Sequence, residues 1–206
     1  MVTSYKNKID GNLLEVSPAS KNTETGEWDC KVKYDGKDFV ISTPRIKIFD
    51  DTLIFNIKNK KVFADFLEEI EGAISQHLFN NSAKIFKGKR FELEKIKNSL
   101  QPSIDIDDKG FVYFQTKFSE TVECVDVFGE KTLLPVSRAD VTALLKIDTV
   151  SFTKDLFRIR YTTTFLKFSK APQPENINFE EEPLPPLEEI PTVQETTLDV
   201  GDNFFD

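Results

Sequence analysis

The sequence predicts a mainly β fold: a closed or half-closed barrel, interrupted by a helical insertion and followed by a disordered acidic tail. Three observations carry this. Short runs rich in β-formers, separated by turn residues, fill most of positions 1–170. One segment changes period, with apolar residues at Phe63, Phe66, Leu67, Ile70 and Ile74 on one helical face. The last 36 residues, Ala171 to Asp206, hold ten acidic residues, six of the ten prolines and no Lys, Arg or His. Such a stretch cannot bury enough apolar surface to offset the entropy of ordering it.

Taken in order, NLLEVS (12–17), WDCKVKY (28–34) and KDFVIS (37–42) read as strands. Asp35-Gly36 between the last two is a two-residue hairpin signal. TPRIKIF (43–49) reads as an irregular basic stretch, and TLIFNI (52–57) as a further strand. The helical insertion spans about 59–99: an amphipathic helix from Lys60 to about Leu78, with Glu68, Glu69 and Glu71 on its outer face, and a shorter one from Phe91 to Asn98. The link KIFKGKR (84–90) carries four basic residues in seven. Strands then return at SIDI (103–106), FVYFQTKF (111–118), TVECVDVF (121–128), VTALLKIDTVSF (141–152) and LFRIRYTTTFLKF (156–168). The chain divides into a domain at 1–170 and the tail at 171–206.

Charge divides the same way. The formal net charge is −8, but setting aside the tail's ten carboxylates leaves 27 basic and 25 acidic residues, a body at +2. An acidic tail tethered to a weakly basic body can occupy the body's basic surface until another anion displaces it. Cys30 and Cys124 form no CxxC pattern, which fits buried thiols in a reducing compartment. The N-terminal residues have no apolar signal core, and no run of 18 apolar residues occurs, so a soluble intracellular protein is expected.

Catalytic and metal motifs are missing from the sequence: there is no Walker A, GxGxxG, HExxH, GxSxG or zinc spacing. No cofactor is expected, and the protein reads as a non-enzyme. The single histidine, His77, reads as an ordinary helical residue. DIDDKGFVYFQT (105–116) places Asp105, Asp107 and Gly110 as an EF-hand loop would. Lys109 occupies a ligand position, however, and Thr116 stands where the bidentate Glu belongs, so the stretch reads as a β-turn.

Basic and aromatic residues are more informative. Arg158, Arg160, Thr162 and Thr164 alternate with Phe157, Ile159, Tyr161 and Phe165, giving one polar, positive face and one core face. Tyr113, Gln115 and Lys117 likewise share a face. An aromatic beside a cation on a sheet is what single strands require, since bases stack on the ring and phosphates meet the charge. The candidate binding set is Arg45, Lys47, Lys87, Lys89, Arg90, Tyr113, Lys117, Lys154, Arg158 and Arg160. Trp28 alternates with Cys30, Val32 and Tyr34, a face that reads as core more than as solvent. At the chain's end, Phe204 and Phe205 stand between Asp202 and Asp206, a docking tip on an acidic string. A different class of function, an interaction module or chaperone whose acidic tail binds a basic protein, fits the tail as well.

The order of features resembles the single-stranded-DNA-binding proteins of T-odd phage replisomes, and more closely their relatives in nucleocytoplasmic large DNA viruses. The residues that carry the resemblance are TPRIKIF after the early strands, and FADFLEEIEGAI with a second helix leading into LQPSIDI. To these are added the pair VECVDVFGEKTLLP and VTALLKIDTVSFTKDLFRIRYTTTFLKF, and the terminal GDNFFD. The resemblance covers nearly the whole chain as a pattern of elements. It implies an OB-fold, a Greek-key β-barrel with inserted helices. It also implies sequence-tolerant coating of single-stranded DNA in replication, repair and recombination, and recruitment of replisome proteins such as a DNA polymerase or helicase through the tail. A homodimer and a place in the host cytoplasm or a viral replication compartment, away from membranes, are further implications. Ending in FFD departs from tails that end directly in an aromatic, so Phe204 and Phe205 both remain candidates for docking.

Overall fold

Alternating burial along long strands dictates the architecture. The computed structural model describes residues 2–49, 54–133, 139–153 and 156–169. Before the insertion come β1 (Val2–Ser4), a 3-10 turn (Gly11–Leu13), β2 (Leu14–Val16), β3 (Ser20–Lys21), β4 (Trp28–Tyr34), β5 (Lys37–Ser42), β6 (Ile46–Phe49) and β7 (Ile54–Asn56). The insertion holds α1 (Lys61–Asn80), α2 (Ser82–Ile85) and α3 (Leu93–Ser99). After it come β8 (Leu100–Gln101), β9 (Ile104–Ile106), β10 (Val112–Gln115), β11 (Lys117–Val125), β12 (Asp140–Phe152) and β13 (Phe157–Phe168).

The pairings close a ring. β6 pairs antiparallel with β7, and β7 with β10. β11, which continues β10 after Thr116, runs parallel to β13. β13 pairs antiparallel with β12, and β12 returns antiparallel to β5 and β6. With β5–β6 as the first barrel strand, β7 the second, β10–β11 the third, β12 the fourth and β13 the fifth, the third and fifth are parallel neighbours and the fourth closes on the first. This is the connectivity of an OB-fold, with the helices inserted between the second and third barrel strands. TPRIKIF is therefore not irregular. Its second half is β6, half of the first barrel strand, because Ile46 and Ile48 alternate into the core.

Two bulges adjust the alternation. In β12, Val141, Ala143, Leu145 and Ile147 are fully buried; an extra residue at Asp148 then shifts the phase so that Val150 is buried. In β13 an extra residue at Thr164 does the same. Ile159, Tyr161 and Thr163 face inward before it, Leu166 and Phe168 after it, and Phe165, placed on the core face by simple alternation, is only half-buried. A bulge reverses the side on which every later residue falls.

Inside the barrel, Phe114 meets Tyr161 at a centroid distance of 4.9 Å, and Phe55 and Phe63 at 6.2 Å each. Phe63 comes from α1, whose buried stripe of Phe63, Phe66, Leu67, Ile70, Ile74 and Leu78 is the one its period predicts. The acidic side of α1 also ties chain segments together. Glu69 Oε1 accepts a bond from the Ile9 amide at 2.9 Å, and Glu71 Oε1 one from the Ser103 amide at 2.5 Å. Asp35 and Gly36 both have positive φ, 53° and 70°, as the mirror-image hairpin turn requires. Asp107 Oδ1 accepts from the amides of Lys109 and Phe111, closing the β-turn expected there. No helix among the described residues is long and apolar enough to cross a membrane.

Both cysteines are free and buried. Burial, with a smaller contribution from neighbouring Asp29, pushes the Cys30 thiol from 9.0 up to about 12. Because the folded value is raised, the neutral thiol's stabilisation is complete below about pH 9 and is lost as the pH climbs towards 12. Urea unfolding across pH 8 to 10.5 should therefore show a falling stability in the native sequence and a shallower fall in Cys30→Ala. Equal slopes would show that Cys30 ionises freely in the folded protein.

Candidate nucleic-acid interface

A groove forms where the third barrel strand changes partner. β10 pairs with β7 and β9 up to Gln115, and β11 pairs with β13 from Lys117 onward. The strand between turns inward at Thr116, whose hydroxyl lies 2.6 Å from that of Thr163 on β13. The resulting fork is bridged by residues 100–106. β8 pairs parallel with β13, matching Gln101 with Arg158, and β9 pairs antiparallel with β10, matching Asp105 with Tyr113. Between them the Ser103 hydroxyl donates to that of Tyr161 at 3.1 Å. The groove has a volume of about 730 Å³, and its polar lining includes Gln101, Gln115, Lys117, Arg158 and Arg160.

Its electrostatics differ from those of a plain basic surface. Arg160, about three-quarters buried, reaches Glu27 Oε2 at 2.5 Å and donates through Nε to the Ser151 hydroxyl at 3.1 Å. Arg158 places Nε and Nη2 on Gln101 Oε1 at 2.9 and 2.6 Å. The Thr162 hydroxyl donates to Asp148. Lys117, Arg158 and Arg160 are thus set against Glu27, Asp29, Asp105 and Asp148 in the groove lining, so the sheet surface expected to be positive is charge-compensated. Beside it Lys146 lies 3.2 Å from both Asp38 and Asp148. Burial would lower its pKa, but hydrogen bonds to the two carboxylates outweigh burial and raise it.

A second feature is a cross-strand row. Lys47 on β6 is paired with Asn56 on β7, Asn56 with Tyr113 on β10, and Tyr113 with Asp105 on β9. Each belongs to the outward set of its strand, because Ile48, Phe55 and Phe114 take the inward positions. The half-buried Tyr113 ring stacks on Phe111 at 5.9 Å with 25° between planes. Along the same strand, Gln115 and Lys117 are exposed, while Phe114 and Thr116 are buried. The structure therefore joins a cation, an amide and an aromatic ring in register, and continues the same side of the chain into the groove.

The other expected site residues fall elsewhere. Arg45 is exposed and bonded to Asp140 at 2.7 Å, in the link between β5 and β6 and two positions before Lys47. Lys87, Lys89 and Arg90 are exposed on the turn after α2. Lys87 Nζ stands 5.1 Å from the Trp28 ring centroid, and Trp28 is 36% exposed although Cys30, Val32 and Tyr34 on the same side of β4 are buried. Trp28 sits at the strand end, flanked in sequence by the groove residues Glu27 and Asp29. Lys154, Asp202, Phe204, Phe205 and Asp206 lie outside the described residues. Sequence reasoning missed Gln101, Ser103 and Asp105, whose short segment shows no periodicity, and Asn56, which only the alternation with Phe55 marks. Among the described residues no group of three or more His, Cys, Asp or Glu is arranged to hold a metal ion.

No family model matches the chain. No curated protein matches it either. Among solved structures, the chain is similar to the single-stranded DNA-binding protein from bacteriophage Enc34, with 11% identity, a TM-score of 0.41, and coverage of 80% of this chain and 95% of that one. A C-terminal truncation of the phage protein gives 11% identity and 0.42, covering 78% and 98%. Its complex with single-stranded DNA gives 14% and 0.38, covering 78% and 98%. At that level of superposition the likeness supplies no residue-by-residue correspondence.

The Trp28 geometry is open to a direct check. Acrylamide should quench Trp28 emission in the native protein, and Lys87→Ala should increase that quenching by uncovering the ring face. Native emission that resists acrylamide in both forms would place the indole in the core.

Proposed function

We propose that the protein binds single-stranded DNA without sequence preference, laying it across β6, β7 and β10 and into the groove between β10 and β13. The observation that carries this reading is the register row of Lys47, Asn56 and Tyr113 on the outward side of the barrel. The ring gives a base a stacking platform and the lysine meets a phosphate, a pairing that tolerates any sequence because every base has a π-face. It lies on the strands that OB-folds use for oligonucleotides. In the groove, Arg158 and Arg160 exchange Gln101 and Glu27 for phosphate oxygens. The protein acts as a replisome component, and its tail residues Asp202, Phe204, Phe205 and Asp206 recruit a DNA polymerase or helicase.

Ion pairing makes the expected mutational pattern specific. Replacing Lys47 or Lys117 by Ala should lower the slope of log K against log salt by roughly 0.7 each. Arg160→Ala should lower it less, since Glu27 already neutralises that charge. Tyr113→Ala should cost roughly 1–3 kcal/mol in oligonucleotide affinity and leave the slope unchanged. Fluorescence anisotropy with a labelled oligonucleotide over a salt series checks all four. Full affinity in Lys47→Ala and Tyr113→Ala would remove the row from the interface.

The tail's ten carboxylates are covalently joined to the body, and a tethered ligand acts at an effective concentration on the order of millimolar. Deleting residues 171–206 should therefore tighten binding at low salt, where screening is weak, and abolish partner recruitment. Replacing Phe204 and Phe205 together by Ala should lose recruitment with little change in DNA affinity. A truncated chain that binds no better than the full one at low salt would leave the tail as a docking arm alone.

A further inference from the structure

A second cleft, of about 410 Å³, opens where β2 and β4 meet the end of α1 and the start of α2, with Glu15, Lys31, Lys33, His77, Asn81 and Lys84 in its lining. Strand alternation builds it. Cys30, Val32 and Tyr34 take the buried side of β4, which leaves Asp29, Lys31 and Lys33 on the other. Asp29 lines the groove and the two lysines line the cleft, so one strand face leads from the first into the second. Lys84 enters from α2 and His77 from the last turn of α1. The His77 pKa is lowered by burial first and by Lys84 second, with Glu15 opposing, so the imidazole stays neutral near pH 7 and offers a hydrogen bond without a charge.

The charge balance is the reverse of the groove's, whose lining sets four carboxylates against three cations. Among the described residues, Lys31, Lys33 and Lys84 make no ion pair, and Glu15 is the one carboxylate in the lining. Free cations on an open surface attract a polyanion and release its counterions, which an ion-paired arginine such as Arg160 does far less. Lys31 and Lys33 are two residues apart on one strand face, about 6.6 Å, a step comparable to that between neighbouring phosphates of an extended strand.

We propose that this cleft is a second phosphate-binding track, which takes the backbone of single-stranded DNA where it leaves the groove along β4. The proposal rests on the single-strand reading above and adds a second stretch to the path. Contact there is to phosphates, so it adds affinity and site length without base preference.

The test uses the full chain and a Lys31→Gln, Lys33→Gln, Lys84→Gln variant, whose changes are confined to exposed side chains. Binding of oligothymidylates from about 4 to about 16 nucleotides is measured over a salt series. The shortest should bind both proteins equally. The longest should bind the variant at least about tenfold more weakly at low salt, with a slope reduced by up to about 2 units. In the native protein the same long strand, and not a mononucleotide, should protect Lys31, Lys33 and Lys84 from acetylation. Equal affinity and slope at every length would overturn the track. An equal loss at every length would make the cleft part of the primary site and overturn a second stretch. Tighter binding of long strands by the variant would point to the acidic tail as the occupant and overturn it too. A native protein that binds no length would overturn the single-strand reading and the track with it.

Discussion

The barrel depends on β12. Along one edge it pairs with β13 for its whole length, and along the other it meets β6, β5 and β4 in turn. An unbent strand could not serve three partners in a closing sheet without misplacing its buried side chains. The bulge at Asp148 resolves this. It keeps Val141, Ala143, Leu145 and Ile147 pointing into the barrel, then resets the phase so that Val150, paired with Cys30 of β4, is buried as well. It also leaves Asp148 and Thr149 in the groove lining. The irregularity that lets the barrel close is thus also what shapes the candidate site.

Local chemistry was legible and partner choice was not. The Asp35-Gly36 turn, the α1 stripe and the Asp107 turn follow from a few adjacent residues, and the structure keeps all three. The alternation in β13 reads correctly until Thr164, where no residue type announces the bulge. TPRIKIF looked irregular because Pro44 and Arg45 obscure a four-residue strand that is stabilised by β7 and β12, neither of them adjacent in sequence. Trp28 shares the parity of a core face, yet stands at its open end, which periodicity cannot reveal.

The same limit applies to the site. The residue types that bind single strands could be named, but their charge environment could not. Glu27 and Arg160 are 133 residues apart, so nothing local marks the arginine as paired. The segment 100–106 that bridges the fork has too few residues in any one element to show a period. Lys31 and Lys33 fall between the buried positions of β4. Their shared cleft appears only when α1 and α2 bring His77 and Lys84 to its lining.

Paired and unpaired cations would perform different tasks on one DNA path. Arg160 and Glu27 are each about three-quarters buried, so a phosphate that takes the arginine leaves a poorly solvated carboxylate behind. That cost is substantial for a buried ion, and it is offset only if the incoming strand also stacks a base or fills the groove. Small anions bring neither, so they would not displace Glu27. Free lysines in the cleft impose no such condition and would hold any phosphate backbone that reached them. A strand would then be admitted by the compensated groove and retained by the basic cleft. With the body at only +2, this division would place positive charge along the proposed path and avoid a broad basic surface that would hold duplexes and other polyanions equally well.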